Sequence, residues 1–287
     1  MLEFRKVELS DRTEFERFLN MTEKRSMEYS FSTMFLWQDL YGMEFCIHDN
    51  TLLLRIGEEE KFYLFPIGDN VDKALDMIAG EKSGFYGLTR DQADYITAKF
   101  PEKYEISLNR DMGDYVYKSE ALANLAGKKL SSKRNHINRF IATYPDWKYE
   151  PITRENLDEV RQMHQVWCSL AKDKKGLKEE EVMVKKAFDH FFLLDFSGGL
   201  VRVGGRVVAF TAGDKLSDST FLVHIEKALA EYSGAYQVIN REFVRNNCMN
   251  YEFINREEDT GDEGLRKAKL SYKPYMIIEK FTAKAVI

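Results

Sequence analysis

The chain has 287 residues, of which 44% are hydrophobic and 31% charged, with a formal net charge of −5. This composition is typical of a folded protein long enough for two domains, and it excludes a disordered chain or a general nucleic-acid coat. The apolar runs are too short to span a bilayer, and three widely spaced cysteines without a CxxC pair favour neither a disulfide framework nor a zinc site. No charged-then-apolar signal precedes a small-residue cleavage site, so we expect a cytoplasmic protein.

A basic segment at residues 127–140, GKKLSSKRNHINRF, carries five Lys or Arg and no acid. On a helix its apolar residues form one stripe, with Lys133 inside the stripe and Arg134 at its edge. Charges beside an apolar face must be paired, extend to solvent, or hold a ligand. Two interpretations remain open. Arg134 pairs with an acid of another domain, or four cations form a phosphate-binding wall for a tRNA acceptor end, a phospholipid headgroup or CoA, namely Lys128, Lys129, Lys133 and Arg134.

The second half of the chain has the pattern of a mixed α/β domain. Its β-branched runs are interrupted at Gly-Gly and at Gly213-Asp214, as a meander of three strands requires. After a weak strand pattern at 147–152, we predict helices over 156–173 and 179–194, three strands over 200–228, a helix over 233–247, a strand over 251–255, a helix over 264–272, and a closing strand over 275–283.

Five short segments recur in the same order at offsets of 140 to 150 residues. Such self-similarity predicts two copies of one domain, which we place at 1–140 and 141–287. We expect the first copy to be degenerate, with a structural or acceptor-side role, and the second to hold the donor site. The matches are LRIG (54–57) with VRVG (201–204), FPIGD (65–69) with FTAGD (210–214), SGFY (83–86) with SGAY (233–236), YEISLNRDMGD (104–114) with YEFINREEDTGD (251–262), and KLSSK (129–133) with KLSYK (269–273).

The predicted element order resembles the acyl-CoA N-acyltransferase (GNAT) fold, here doubled, with mixed sheets flanked by helices. Three segments resemble the phosphatidylglycerol lysyltransferase C-terminal domain family: DYVYKSEALANLAGKKLSSKRNHINRF (114–140), HIEKALAEYSGAYQVINREF (224–243) and NREEDTGDEGLRKAKLSYKP (255–274). The resemblance covers nearly the whole chain and implies tandem GNAT-like domains similar to the Fem-type transferases. In that group an aminoacyl ester on tRNA is the donor, and an amine or lipid hydroxyl is the acceptor. The lipid-modifying relatives also carry a large membrane-spanning part.

The segment EYSGAYQVIN occupies the place where GNAT enzymes hold the CoA pyrophosphate at a helix N-terminus. Glu231 replaces the usual basic residue and Tyr236 the last small residue, which argues against ordinary acetyl-CoA binding. We expect Tyr236, Gln237 and Asn240 to contact a ligand. Glu242 falls on the apolar stripe of the same helix, and we expect it to pair with a buried base such as Arg134 or Arg256.

Candidate catalytic residues lie on the strand FLVHIEKA, where His224 and Glu226 share one face. Acyl transfer requires a base to take a proton from the attacking nucleophile, so Glu226 is the first candidate. For His224 a structural role is the favoured interpretation, with catalysis as the alternative. Further ligand-binding candidates lie at the end of the following strand and on the last helix, namely Asn255, Arg256, Arg266 and Lys269.

These features favour an acyltransferase with an aminoacyl-tRNA donor. The alternatives are a non-catalytic protein that binds tRNA or an anionic ligand, and an acetyl-CoA-dependent N-acetyltransferase with an atypical loop. We expect no tightly bound cofactor and no metal, with aminoacyl-tRNA or acyl-CoA as the donor substrate. The expected partners are tRNA, a phosphate-bearing ligand and the surface of a membrane, but not DNA.

Overall fold

The computed structural model describes residues 2–21, 26–81, 83–171 and 176–286. The helices are α1 (Arg12–Leu19), α2 (Phe31–Tyr41), α3 (Val71–Ala79), α4 (Arg90–Lys99), α5 (Ser119–Asn124), α6 (Ser131–Thr143), α7 (Leu157–Leu170), α8 (Leu177–Asp189), α9 (Ala235–Phe243) and α10 (Glu263–Ser271). The strands are β1 (Glu44–His48), β2 (Thr51–Ile56), β3 (Phe62–Tyr63), β4 (Ile67–Gly68), β5 (Gly84–Leu88), β6 (Tyr104–Leu108), β7 (Asp114–Lys118), β8 (Lys148–Pro151), β9 (Ser197–Val203), β10 (Arg206–Ser217), β11 (Thr220–Ala228), β12 (Phe253–Asn255), β13 (Met276–Ile278) and β14 (Phe281–Ala285). A short 3-10 helix, Lys128–Leu130, leads into α6, and a π-helical turn, Val244–Cys248, follows α9.

The chain forms two compact units whose limits differ from a division after residue 140. The first unit comprises Met1–Asp114, Glu258–Asp262 and Ile277–Ile287, and the second comprises Tyr115–Glu257 and Glu263–Met276. Residues 115–140 belong to the second unit because β7 pairs with β12, while α5 and α6 pack on α9.

Each unit has a mixed sheet, and the two share one arrangement in which β1-β2-β3-β5-β14 corresponds to β9-β10-β11-β12-β7, while β8 is an additional edge strand of the second sheet. In the first unit the order is β1-β2-β3-β5-β14-β6, with β4 also paired to β2, and β3 and β5 are parallel. In the second the order is β8-β9-β10-β11-β12-β7, with β13 next to β7 where the chain passes back towards the first unit, and β11 and β12 are parallel. A meander of three strands therefore precedes a parallel pair in both sheets, which supports two copies of one fold.

The two copies exchange a strand. β14, at the end of the second half of the chain, pairs with β5 and β6 of the first half. β7, at the end of the first half, lies next to β12 of the second half. Each sheet is therefore completed by a strand from the other half of the sequence.

The recurring sequence segments are not structural equivalents. SGFY (83–86) lies in β5, whereas SGAY (233–236) covers the start of α9. KLSSK (129–133) leads into α6, whereas KLSYK (269–273) ends α10. The prediction of two copies is correct, but the alignment that suggested it is wrong.

Most elements predicted for the second half are present. The weak pattern at 147–152 is β8, and the meander is β9 to β11. Of the helix predicted over 156–173, residues 172 and 173 lie outside the described residues. The single closing strand predicted over 275–283 is wrong: it divides into β13 and β14, and β14 belongs to the sheet of the first unit.

Helix α9 packs closely on α6 at its first turn. Its apolar residues Val238, Ile239 and Phe243 are buried. Gly234 precedes the helix with a φ of +97°, and a Cβ there would lie 2.6 Å from the carbonyl oxygen of His136. Only glycine permits this close backbone contact without strain, so packing on α6 explains the glycine.

A buried ion cluster lies in the first unit beside the exchanged strand. Lys280, which precedes β14, donates to Glu28 Oε1 and to Asp114 Oδ1, each at 2.6 Å. Burial lowers the pKa of Lys280, but the two carboxylates outweigh burial and hold the pKa above its usual value. Removing one partner of a buried ion pair leaves an uncompensated charge.

We therefore expect Lys280→Met to lower the free energy of unfolding by about 3–5 kcal/mol, because two buried carboxylates lose their cation. Urea denaturation monitored by circular dichroism measures this change. Lys284→Met, at an exposed position of β14, is the matched control and should change stability by less than about 0.5 kcal/mol. Equal stability of the two variants would contradict this role of the cluster.

Candidate functional site

The candidate site lies where the parallel strands β11 and β12 cease to pair. Their register ends at Leu222 opposite Asn255, while β11 continues to Ala228. Glu226 lies on the part of β11 that pairs with β10 but no longer with β12, and Arg256 directly follows β12. Both side chains thus come from the strand ends, where α/β proteins commonly form binding sites.

Glu226 forms an ion pair with Arg256. Its Oε1 accepts from Arg256 Nη2 at 2.7 Å, and its Oε2 accepts from Asn240 Nδ2 at 2.9 Å. The side chains of Glu226 and Arg256 are each 11% exposed, and Asn240 on α9 is 2% exposed. Burial lowers the pKa of Arg256, but Glu226 and two tyrosines outweigh burial and keep the pKa above its ordinary value.

Lys133 adds a second cation to this group. Its ammonium lies 4.2 Å from the ring centroid of Tyr272, and the guanidinium carbon of Arg256 lies 5.0 Å from the same ring. Burial and the charge of Arg256 lower the pKa of Lys133, and Glu226 opposes them. We call Glu226, Arg256, Asn240 and Lys133 the Glu226 cluster. With both cations protonated, it carries one more positive than negative charge.

Two polar atoms of the cluster have no hydrogen-bond partner within the described residues. They are Arg256 Nη1, a donor, and Asn240 Oδ1, an acceptor, and both are hidden from solvent. The orientation of the Asn240 amide is fixed because the Glu226 carboxylate can only accept, so the NH2 group must face it. A buried donor and a buried acceptor are therefore both left for a ligand or for water.

The basic segment divides into residues with different surroundings. Lys128 and Lys129 are exposed on the 3-10 helix before α6. Arg134 donates to the carbonyl oxygens of Leu125 and Gly127, the latter at 2.8 Å. The expected pairing of Arg134 with an acid of another domain is wrong, because its guanidinium holds the chain that enters α6.

His224 does not belong to the Glu226 cluster. It is buried, its Nε2 lies 2.9 Å from Asp214 Oδ1, and its Nδ1 lies 2.8 Å from Glu257 Oε1. Its ring also stacks on Phe196. Both nitrogens are occupied by carboxylates, so this geometry favours the structural interpretation and leaves no nitrogen for proton transfer with a substrate.

Asn255 and Lys269 support the backbone that carries Arg256. Asn255 Oδ1 accepts from the Glu257 N–H at 2.7 Å. The Lys269 ammonium donates to the carbonyls of Arg256 and Glu257, at 2.6 and 3.2 Å. These two candidate ligand-binding residues therefore fix the turn after β12.

The start of α9 presents Tyr236, whose ring is 37% exposed and whose hydroxyl accepts from Trp167 Nε1 at 3.2 Å. Gln237, on the same turn, is half-buried, as is Arg266 on α10.

The expected pairing of Glu242 is wrong. Its carboxylate accepts from two arginines of its own segment, Arg241 at 2.6 Å and Arg245 at 3.4 Å.

Two tyrosines of the site were not predicted. The Tyr272 ring contacts both cations, and the Tyr117 ring lies 5.6 Å from the Arg256 guanidinium carbon. The Tyr117 hydroxyl donates to the Lys269 carbonyl at 2.8 Å. The alternation in DYVYK, which places Tyr115 and Tyr117 on one face of β7, was the available signal.

No group of three or more His, Cys, Asp or Glu suited to a metal occurs in the part of the chain that the structure describes. Cys46, Cys168 and Cys248 are buried free thiols. Among the described helices, none has the length and apolar character needed to cross a membrane.

The His224 triad predicts a pH-dependent contribution to stability. Burial lowers the pKa of His224, but Asp214 and Glu257 outweigh it and raise the pKa to about 10. Because this folded value exceeds the unfolded one of about 6.5, the contribution is complete below pH 6.5. It is lost as the pH rises towards 10.

The stability difference between the wild type and His224→Gln should therefore shrink between pH 6.5 and 9.5, by up to about 1.4 kcal/mol per pH unit. Urea titrations at several pH values measure it, with His136→Gln, at an exposed position, as the control. A difference that does not vary with pH in this range would show that His224 is neutral in the folded protein.

Comparison with known proteins places the chain in a family. A conserved protein of unknown function from Bacteroides thetaiotaomicron is 35% identical over the full length of both chains, with a TM-score of 0.94. The C-terminal domain (DUF2156) of an Agrobacterium fabrum protein assigned as a lysylphosphatidylglycerol synthetase shares the fold, with a TM-score of 0.68, 14% identity and coverage of 96% of this chain and 92% of that one. A GNAT-family acetyltransferase from Colwellia psychrerythraea also shares the fold, with a TM-score of 0.54, 8% identity and coverage of 99% and 100%. Residues 20–284 match the family model, and the chain belongs to the phosphatidylglycerol lysyltransferase C-terminal family.

Proposed function

We propose that the protein transfers an aminoacyl group from the ester of a charged tRNA to an amine or hydroxyl acceptor. The family and the fold indicate an acyltransferase. The observation that carries the proposal is the Glu226 cluster, in which Arg256 Nη1 is a buried donor that has no hydrogen-bond partner in the described part of the chain. Such a donor is suited to an oxygen that develops negative charge.

The reaction requires a proton acceptor and a group that stabilises an oxyanion. The acceptor's nitrogen or oxygen attacks the ester carbonyl, and a tetrahedral oxyanion forms. The bond between the acyl carbon and the ribose oxygen then breaks, and the acyl group stays on the acceptor. The acceptor loses one proton to the base, and the released ribose oxygen takes up one proton. Arg256 Nη1 would donate to the oxyanion.

Lys133 is suited to accept the proton. Burial and the charge of Arg256 lower the pKa of its ammonium, which favours the neutral amine, the form that acts as a base. Glu226, the first candidate from the sequence, has both oxygens engaged by Arg256 and Asn240. We therefore assign Glu226 to positioning: it orients the donor groups of the site.

A tRNA donor is supported by the cations before α6. Lys128 and Lys129 are exposed on the segment that leads to Lys133, where they can contact phosphates. The glycine of the atypical loop is explained by packing on α6, and the N–H of Ala235 donates to the Tyr232 carbonyl at 3.0 Å. This N–H is therefore not free to bind a pyrophosphate, which supports tRNA over acetyl-CoA.

The first test measures transfer of ¹⁴C-labelled amino acids from charged total tRNA to phosphatidylglycerol vesicles and to a soluble amine acceptor. We expect transfer by the wild type and a loss of about 10²–10³-fold in Glu226→Gln, because Arg256 and Asn240 lose their anchor. Glu231→Gln, which removes an exposed partner of Arg206, is the matched control and should retain activity.

Other outcomes distinguish the alternatives. Acetyl transfer from acetyl-CoA without aminoacyl transfer identifies an acetyltransferase. Tight tRNA binding without any transfer identifies a non-catalytic binding protein. Binding of neither donor contradicts the proposal.

A second test measures the salt dependence of tRNA binding. Each phosphate contact that is lost reduces the slope of log K against log salt by roughly 0.7–0.9. We expect such a reduction in Lys128→Ala and in Lys129→Ala, measured by filter binding between 50 and 200 mM salt. Lys186→Ala, on α8, is the control with an unchanged slope. Unchanged slopes in all three variants would exclude this segment from the tRNA contact.

A further inference from the structure

We infer that Asn240 is a specificity-determining residue that accepts a hydrogen bond from the α-ammonium group of the donor, so that the site selects aminoacyl over plain acyl groups. This inference rests on the proposed function and assigns a role to an atom that the transfer chemistry does not use. The inference is based on Asn240 Oδ1, which is buried and has no hydrogen-bond partner among the residues that the structure describes.

The two unpartnered atoms differ in kind and flank one carboxylate. Arg256 Nη1 can only donate, and Asn240 Oδ1 can only accept. Their neighbouring atoms, Arg256 Nη2 and Asn240 Nδ2, bind the two oxygens of Glu226. A ligand that satisfies both must offer an acceptor and a donor a few atoms apart.

An α-aminoacyl group has this combination, with a carbonyl oxygen and an ammonium group on adjacent carbons. An acetyl or other plain acyl group offers the carbonyl oxygen alone. It would leave Asn240 Oδ1 buried and unpaired, which should weaken binding by about 5- to 100-fold. The cluster therefore favours the aminoacyl donor through this hydrogen bond.

The charges of the cluster permit an ammonium group. Glu226 and Arg256 compensate each other, and Lys133 has no ion-pair partner among the described residues. Lys133 is held by contact with the ring of Tyr272, its side chain is half-buried, and its pKa is lowered. An incoming ammonium favours neutral Lys133, which is the form that accepts a proton in the proposed reaction.

The test compares two pairs of non-hydrolysable 3′-acylamino-3′-deoxyadenosines that differ only in the α-ammonium group, alanyl with propionyl and lysyl with 6-aminohexanoyl. Calorimetry with the full chain should show that the wild type binds the α-amino member of at least one pair about 5- to 100-fold more tightly. In Asn240→Leu this preference should fall below about twofold, because the leucine side chain cannot accept a hydrogen bond.

The matched control is Asn246→Ala, which removes an exposed amide bonded to the Glu242 carbonyl and should keep the full preference. If circular dichroism shows that Asn240→Leu is not folded, Asn240→Ala replaces it. The wild-type comparison of the two members of each pair tests the inference even without a variant. Equal wild-type affinity for both members of each pair overturns the inference. An equal loss of affinity for both members in the variant also overturns it, since this result is expected if Asn240 only holds an ordered water.

These outcomes separate the inference from the proposed function. Equal affinities together with aminoacyl transfer from tRNA would reject the role of Asn240 and leave the transferase activity standing. Failure to bind any of the four compounds, together with absence of transfer from tRNA, would reject both.

Discussion

The ion pair between Glu226 and Arg256 is the interaction on which the site depends. It joins two strands at the point where their own hydrogen bonds end, so side chains replace the backbone pairing. A buried pair is stable only when the remaining donors and acceptors of both groups are satisfied. Asn240 occupies the second oxygen of Glu226, and Lys269 fixes the carbonyl of Arg256. The atoms left over, on Arg256 and Asn240, can therefore bind a ligand or water.

The two halves of the chain have the same strand order but different chemistry at the parallel pair. In the second half, Arg256 follows the last paired residue of β12. In the first half, the last residue of β5 that pairs with β3 is Phe85, and Tyr86 follows it. The Tyr86 hydroxyl is buried without a hydrogen-bond partner in the described part of the chain. An aromatic ring thus follows the parallel pair in the first half, where the second half has the guanidinium of Arg256.

The sequence predicted the elements of the second half because their periodicity and glycine breaks are local signals. It did not predict the strand exchange, since β7 and β14 have ordinary strand patterns and nothing local specifies the partner. Individual site residues were likewise easier to predict than the contacts that they make. Lys133 and Arg134 differ by 100° on the helix, so one faces Tyr272 and the other holds a backbone turn. Glu242 was expected to pair with a buried base such as Arg134 or Arg256, because its place on the apolar stripe did not reveal that Arg241 and Arg245 neutralise it.

The most direct measurement is a crystal structure of the protein with a saturating non-hydrolysable 3′-aminoacyl analogue of the tRNA terminus. The account predicts that the acyl carbonyl oxygen lies within hydrogen-bond distance of Arg256 Nη1. It also predicts that the α-ammonium lies within hydrogen-bond distance of Asn240 Oδ1, with the pair between Glu226 and Arg256 intact. An analogue bound elsewhere on the chain, with both atoms satisfied by water, would contradict the account.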